Sequence, residues 1–165
     1  MRYLKPVSLA VAGLLMGGNL LNAQSANINA TATVLSPITV TAGSALAFGN
    51  VTPGVAKTVA ATSAAAGSFS LVGQANQGIN VSFTLPATLT GPGTPMPMSA
   101  WTGLYNSANN QGAAAAFTPS ASAQAGTTAA TGGTFFVWVG ATVTPAAIQT
   151  AGAYTGSVTM NVVYQ

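Results

Sequence analysis

Ile79-Asn80-Val81-Ser82-Phe83-Thr84-Leu85 alternates apolar and polar side chains without a break. A period of two puts the apolar members on one side of an extended chain and the polar members on the other, as in a half-buried β-strand. The same alternation recurs in Ile28-Asn29-Ala30-Thr31-Ala32-Thr33-Val34, in Phe69-Ser70-Leu71 and in Val158-Thr159-Met160-Asn161-Val162. No long helical periodicity interrupts these runs. Turn signals separate them: Ser36-Pro37, Ala42-Gly43, Pro53-Gly54, Gly73, Gln77-Gly78, Pro86, Gly91-Pro92-Gly93 and Gly152. Strands are expected near 28–41, 45–51, 56–62, 67–73, 78–85, 96–104, 134–143 and 153–164. Short strands with closely spaced turns predict an all-β, antiparallel β-sandwich of immunoglobulin-like type.

Two stretches depart from simple alternation. In Phe135-Phe136-Val137-Trp138-Val139 both faces are apolar, which predicts a strand central to the sandwich. If Phe136 and Trp138 stayed exposed, they would mark a contact surface instead. Residues 106–133 are dominated by Ala, Ser, Thr, Gly, Asn and Gln, with Phe117 the lone large apolar residue. Such a segment buries little and is expected to form a low-complexity loop or a weak edge strand.

The 165 residues include no Asp, Glu, His or Cys and three basic residues. General acid–base catalysis, carboxylate or thiolate nucleophiles and metal coordination draw on the missing types, so an enzyme and a metal or cofactor site are not expected. Arg2 and Lys5 precede the apolar run 7–15, and Ala23 follows it, the pattern of a secretory signal peptide over residues 1–23. The run is too short and too interrupted by Gly17, Gly18 and Asn19 to predict a membrane span. Cleavage is expected after Ala23 or Ser25, leaving residues 24–165 as one secreted domain, periplasmic or extracellular. Lys57 is then the sole charged side chain, and the two chain termini cancel, for a net charge of about +1. One lysine cannot build a groove for phosphates, so nucleic acid is excluded as a partner. An almost uncharged chain also lacks the usual defence of strand edges, and self-association is expected.

Three pieces carry a family resemblance. They are Thr33-Val34-Leu35-Ser36-Pro37-Ile38-Thr39-Val40 with Leu46-Ala47-Phe48-Gly49-Asn50-Val51, then Phe69-Ser70-Leu71-Val72-Gly73 leading into 79–86, then Val139-Gly140-Ala141-Thr142-Val143 with Gly152-Ala153-Tyr154-Thr155-Gly156-Ser157-Val158 and Tyr164. The chain resembles the bacterial secreted family called domain of unknown function 4402. Its ending is also similar to that of chaperone–usher pilin subunits, with a penultimate Tyr164 and Gly152 fourteenth from the end. That second resemblance implies a sandwich lacking one strand, completed first by a periplasmic chaperone and then by the N-terminal segment of the next subunit. It casts Ile28, Ala30, Ala32 and Val34 as a donor strand, and Gly152, Tyr154, Val158, Met160, Val162 and Tyr164 as the C-terminal assembly strand. The absent disulfide departs from many such pilins. A self-contained immunoglobulin-like sandwich would carry the same alternation, so both readings stand.

Two functions from different classes follow. One is a structural subunit of an extracellular or surface fibre. The other is a monomeric binding module, glycan-binding through Trp101, Tyr105 and the 106–133 loop. Either way, no side-chain carboxylate or imidazole exists to change protonation on unfolding. The slope of stability against pH is therefore near zero between roughly pH 2 and pH 9, where only the termini titrate. Thermal midpoints of the mature protein should be nearly constant from acid to neutral pH, and a steep acid loss would contradict this.

Overall fold

The computed structural model describes residues 24–165. The expected signal peptide at 1–23 lies outside them. Residues up to Thr33 and residues from Val34 to Gln165 form two separate units. In the first, residues 24–33 carry no strand or helix and are exposed. The second is an all-β antiparallel sandwich.

Its strands are β1 (Thr39–Ala42), β2 (Lys57–Val59), β3 (Gly67–Val72), β4 (Gly78–Thr84), β5 (Thr88–Leu89), β6 (Met96–Asn106), β7 (Ala115–Phe117), β8 (Gln124–Thr127), β9 (Thr134–Val143) and β10 (Thr159–Tyr164). The larger sheet runs β1-β3-β9-β6-β5, with β2 also on β9 and β7 also on β6. The smaller sheet is β10-β4-β8. Among the described residues no helix is long and apolar enough to cross a membrane.

The two-sided apolar run decides the centre. β9 pairs with β6 along one edge, while β3 and β2 share the other. Phe135, Val137 and Val139 meet Leu71 of the same sheet and Ile79, Val81, Phe83 and Met160 of the smaller sheet, forming the inter-sheet core. Fully burying such a side chain stabilises the fold by roughly 1.5–3 kcal/mol. On the other face Phe136 and Trp138 stack at 6.3 Å and pack with Leu104, Ala61 and Ala66. Gly140 lies under the chain leaving β2, where a Cβ would strike the Val59 carbonyl.

Strands β3, β4, β6 and β9 lie where alternation predicts them. The first strand starts only at Thr39, after Pro37, whose ring removes a ladder donor. No strand forms at 45–51; Ala47 N–H donates to Ala65 O, and Leu46 and Phe48 pack as apolar plugs. The last strand starts at Thr159, preceded by a single bridge from Thr155 to Thr90. The 106–133 segment contributes a 3₁₀ turn and two short edge strands, β7 and β8.

A bulge in β6 redirects its side chains. Ser99 pairs with Thr142 and Thr102 with Gly140, so Ala100 and Trp101 together oppose Ala141. Met96 and Met98 face the core before the bulge; Trp101, Gly103 and Tyr105 face it afterwards. Ala100 holds φ at 49°, the left-handed region. The exposed Ala100→Val should destabilise the protein by about 1–2 kcal/mol through backbone strain, whereas Ala100→Asn should be close to neutral. Urea unfolding of the pair measures the difference.

The Tyr164 hydroxyl ties the C-terminal strand to two other segments. It donates to Ser36 O at 2.7 Å and accepts from the Gln74 N–H at 2.6 Å. Gly73 leaves room for it, since a Cβ there would lie 2.5 Å from the phenolic oxygen. Tyr164→Phe should cost about 1–3 kcal/mol for two lost hydrogen bonds. Gly73→Ala should also destabilise, but markedly less when combined with Tyr164→Phe, which takes the obstructing oxygen away. A double-mutant cycle by thermal unfolding would show additive losses if the clasp were unimportant.

Candidate functional site

Two sheet edges on one side of the sandwich have no partner among the described residues: the outer edge of β1 and the outer edge of β10. β1 pairs with β3 alone, and β10 with β4 alone. Their ends meet at the Tyr164–Ser36 clasp. A cleft of about 720 Å³ is walled by 42–51, which follow β1, on one side and by 152–156 with Val158, which precede β10, on the other.

The local sequence explains the opening. Directly paired strand residues share a face, so Val40 opposite Leu71 and Ala42 opposite Phe69 point towards the core. Val40 is nevertheless 39% exposed, because no strand covers it from the other sheet. The cleft floor includes Phe69, Leu89, Met96, Met98, Val139 and Val143. Alternating strands thus supply a continuous apolar surface, and the smaller sheet is too narrow to cover it.

The lining carries no acid, imidazole, thiol or ammonium; Tyr154 is its one titratable side chain. Its hydroxyl donates to Thr150 O at 2.9 Å and lies 2.7 Å from Gln149 Nε2. Just outside, the Lys57 ammonium donates to Asn50 O at 2.8 Å and steadies the rim. Such a site offers an unpaired backbone edge and an apolar trough. The chemistry available is strand addition and apolar contact.

The residues singled out from sequence are distributed as follows. Tyr154 and Val158 line the cleft and Gly152 forms its rim, with φ at +145° against Pro92. Met160 is in the inter-sheet core, with Val162 and Tyr164 packed against it. Ile28 and Val34 are each 93% exposed, and Ala30 and Ala32 are exposed too. The four aromatics considered for surface contact are packed: Tyr105 stacks on Phe135 at 5.5 Å, Trp101 joins the Met96–Met98 cluster, Trp138 is 9% exposed and Phe136 lies against it. Sequence reasoning did not anticipate Leu46, Phe48 and Leu89 in the cleft. Regular strand pairing was expected of the first two, and nothing in their spacing distinguishes a plug from a strand residue.

No curated protein matches the sequence. A solved chain described under a chaperone–usher pilus structure is similar at 14% identity, covering 88% of this chain and 97% of its own, with a TM-score of 0.39. A superposition that loose carries no weight for function. The family model described as Domain of unknown function (DUF4402) matches residues 38–164. It spans β1 to β10, both walls of the cleft and Tyr164, and the chain belongs to that family.

Proposed function

We propose that the protein is a non-catalytic secreted structural subunit of an extracellular or surface fibre, joined by β-strand complementation. The 26–34 segment of one copy fills the cleft of the next. The observation that carries this reading is an apolar cleft walled in part by the segment leading into β10, whose outer edge has no partner among the described residues, in a chain that also holds an exposed alternating segment. Burial of Ile28 and Val34 would stabilise the joint by roughly 1.5–3 kcal/mol per side chain, and the edge would gain backbone hydrogen bonds. Neither partner surface has a charge to desolvate. A periplasmic chaperone would protect the same cleft before assembly. The leader at 1–23 fits export.

Electron microscopy of secreted material tests the reading. The mature chain should form fibres or linear oligomers, and a chain lacking residues 24–35 should stay monomeric. A peptide of residues 24–35 added to the shortened chain at about 100 times its Kd should stabilise it by about 2.7 kcal/mol. Unchanged monomers from both chains, with no stabilisation by peptide, would remove the proposal.

A further inference from the structure

The side of the sandwich opposite the outer edges of β1 and β10 carries a second opening. There β7 extends the larger sheet beyond β6, and β8 extends the smaller sheet beyond β4. A cavity of about 470 Å³ is lined by residues of both. Its origin lies in the side chains that face the inter-sheet space. Directly paired residues share a face, so Ala115 points the same way as Tyr105, and Gly126 the same way as Ile79. Ile79 is in the inter-sheet core and Tyr105 packs against it, where facing strands ordinarily interdigitate their side chains. The two marginal strands contribute a methyl group and a hydrogen atom instead. At Gly126 nothing larger fits, since a Cβ would lie 2.7 Å from the Phe135 ring.

The walls combine aromatic rings with uncharged polar groups. Tyr105 stacks on Phe135, and both rings line the cavity. The Tyr105 hydroxyl makes no hydrogen bond to a described residue, and no buried polar side-chain atom among them lacks a partner, so this hydroxyl is open to solvent. Ser107 and Thr127 add hydroxyls, and Gln165 adds an amide. Hydrogen bonds hold the walls in place: Thr134 Oγ1 donates to Ser107 O at 2.8 Å, and Gln165 Nε2 donates to Asn80 Oδ1 at 3.1 Å. Asn106 fixes the turn beside them by accepting from the Ala108 N–H and donating to Asn110 O. No charged side chain lines the cavity. We propose that it is a binding site for a neutral saccharide unit. A sugar ring presents a C–H face to aromatic carbon and hydroxyls around its rim, which matches rings bordered by hydroxyls and an amide. An ionic ligand would lose its hydration here without gaining a counter-charge. The volume falls within the range of about 300–1,000 Å³ found for small-ligand sites, and walls already held in place lower the ordering cost of binding. Trp101 sits in the Met96–Met98 cluster, so Tyr105 and the 106–133 segment form the site without it. The linings of cavity and cleft share no residue, so this site does not depend on the complementation reading.

Isothermal titration of the mature chain with galactose, mannose, N-acetylglucosamine and their dimers, each up to about 50 mM, tests the site. At least one of these probes should bind, and the chain lacking residues 24–35 should bind it equally well. Sialic acid, which carries a carboxylate, should bind at least about tenfold more weakly. Ala115 is exposed, so Ala115→Leu fills the cavity without entering the packed core and should weaken binding by more than about tenfold. Tyr105→Phe keeps the ring and removes the hydroxyl, which should weaken binding about five- to tenfold, the loss of one hydrogen bond. Thermal unfolding checks that each variant folds, and if one does not, the other reads the site alone. Absence of binding by every neutral probe, binding unchanged in the folded variants, tighter binding of sialic acid, or loss of binding on removal of residues 24–35 overturns the proposal. Failure to form fibres, with sugar binding intact, refutes the complementation reading and leaves this one standing.

Discussion

Burial of both faces of β9 is the constraint on which the remaining architecture depends. Phe135, Val137 and Val139 require the smaller sheet above them, and Phe136 and Trp138 require cover below, which the 61–66 turn supplies. A strand of that kind can only be central, so β3 and β6 flank it and the shorter strands are pushed to the margins. The smaller sheet covers one end of the larger sheet's inner face. The other end, around Met96, Met98 and Val143, is left to irregular segments and an open cleft.

The cleft and the composition are linked. An open apolar trough beside an unpaired edge is ordinarily guarded by lysines, prolines or inward charges. Here Lys57 is at the rim, engaged with Asn50 O, and the trough is unguarded. Charge would hinder the entry of a strand as uncharged as the 26–34 segment. The same absence of acid, imidazole and thiol would suit the association proposed for this surface. Polarity survives in backbone groups, hydroxyls and amides, which are matched by pairing rather than by ionisation.

Much of this was legible in the residues because period-two alternation is a local property. β4 and β9 follow directly from Ile79-Asn80-Val81-Ser82-Phe83 and from the two-sided aromatic run. Other parts depend on partners remote in sequence. Leu46 and Phe48 resemble strand residues, yet the chain beside them bonds at Ala47 and then turns away, leaving both as plugs. Trp101 and Tyr105 read as surface aromatics until the Ala100–Trp101 bulge reverses the parity of β6 and turns both rings inward. Phe117, alone in a weakly apolar segment, finds Tyr105 and Phe83 as neighbours.

What the sequence determined by itself was the fold class, the central strand, the lack of carboxylate, imidazole and thiol side chains, and the repeated apolar face of the N-terminal and C-terminal segments. Each follows from side-chain type and spacing along the chain. Tertiary structure alone decided that the outer edges of β1 and β10 have no partner among the described residues, that a cleft opens between 42–51 and 152–158, and that Tyr164 ties the last strand to Ser36 and Gln74. Those features depend on which strands fail to meet and on hydrogen bonds between residues far apart in sequence. Alternation is blind to both, because it says which way a side chain points and nothing about what stands opposite it.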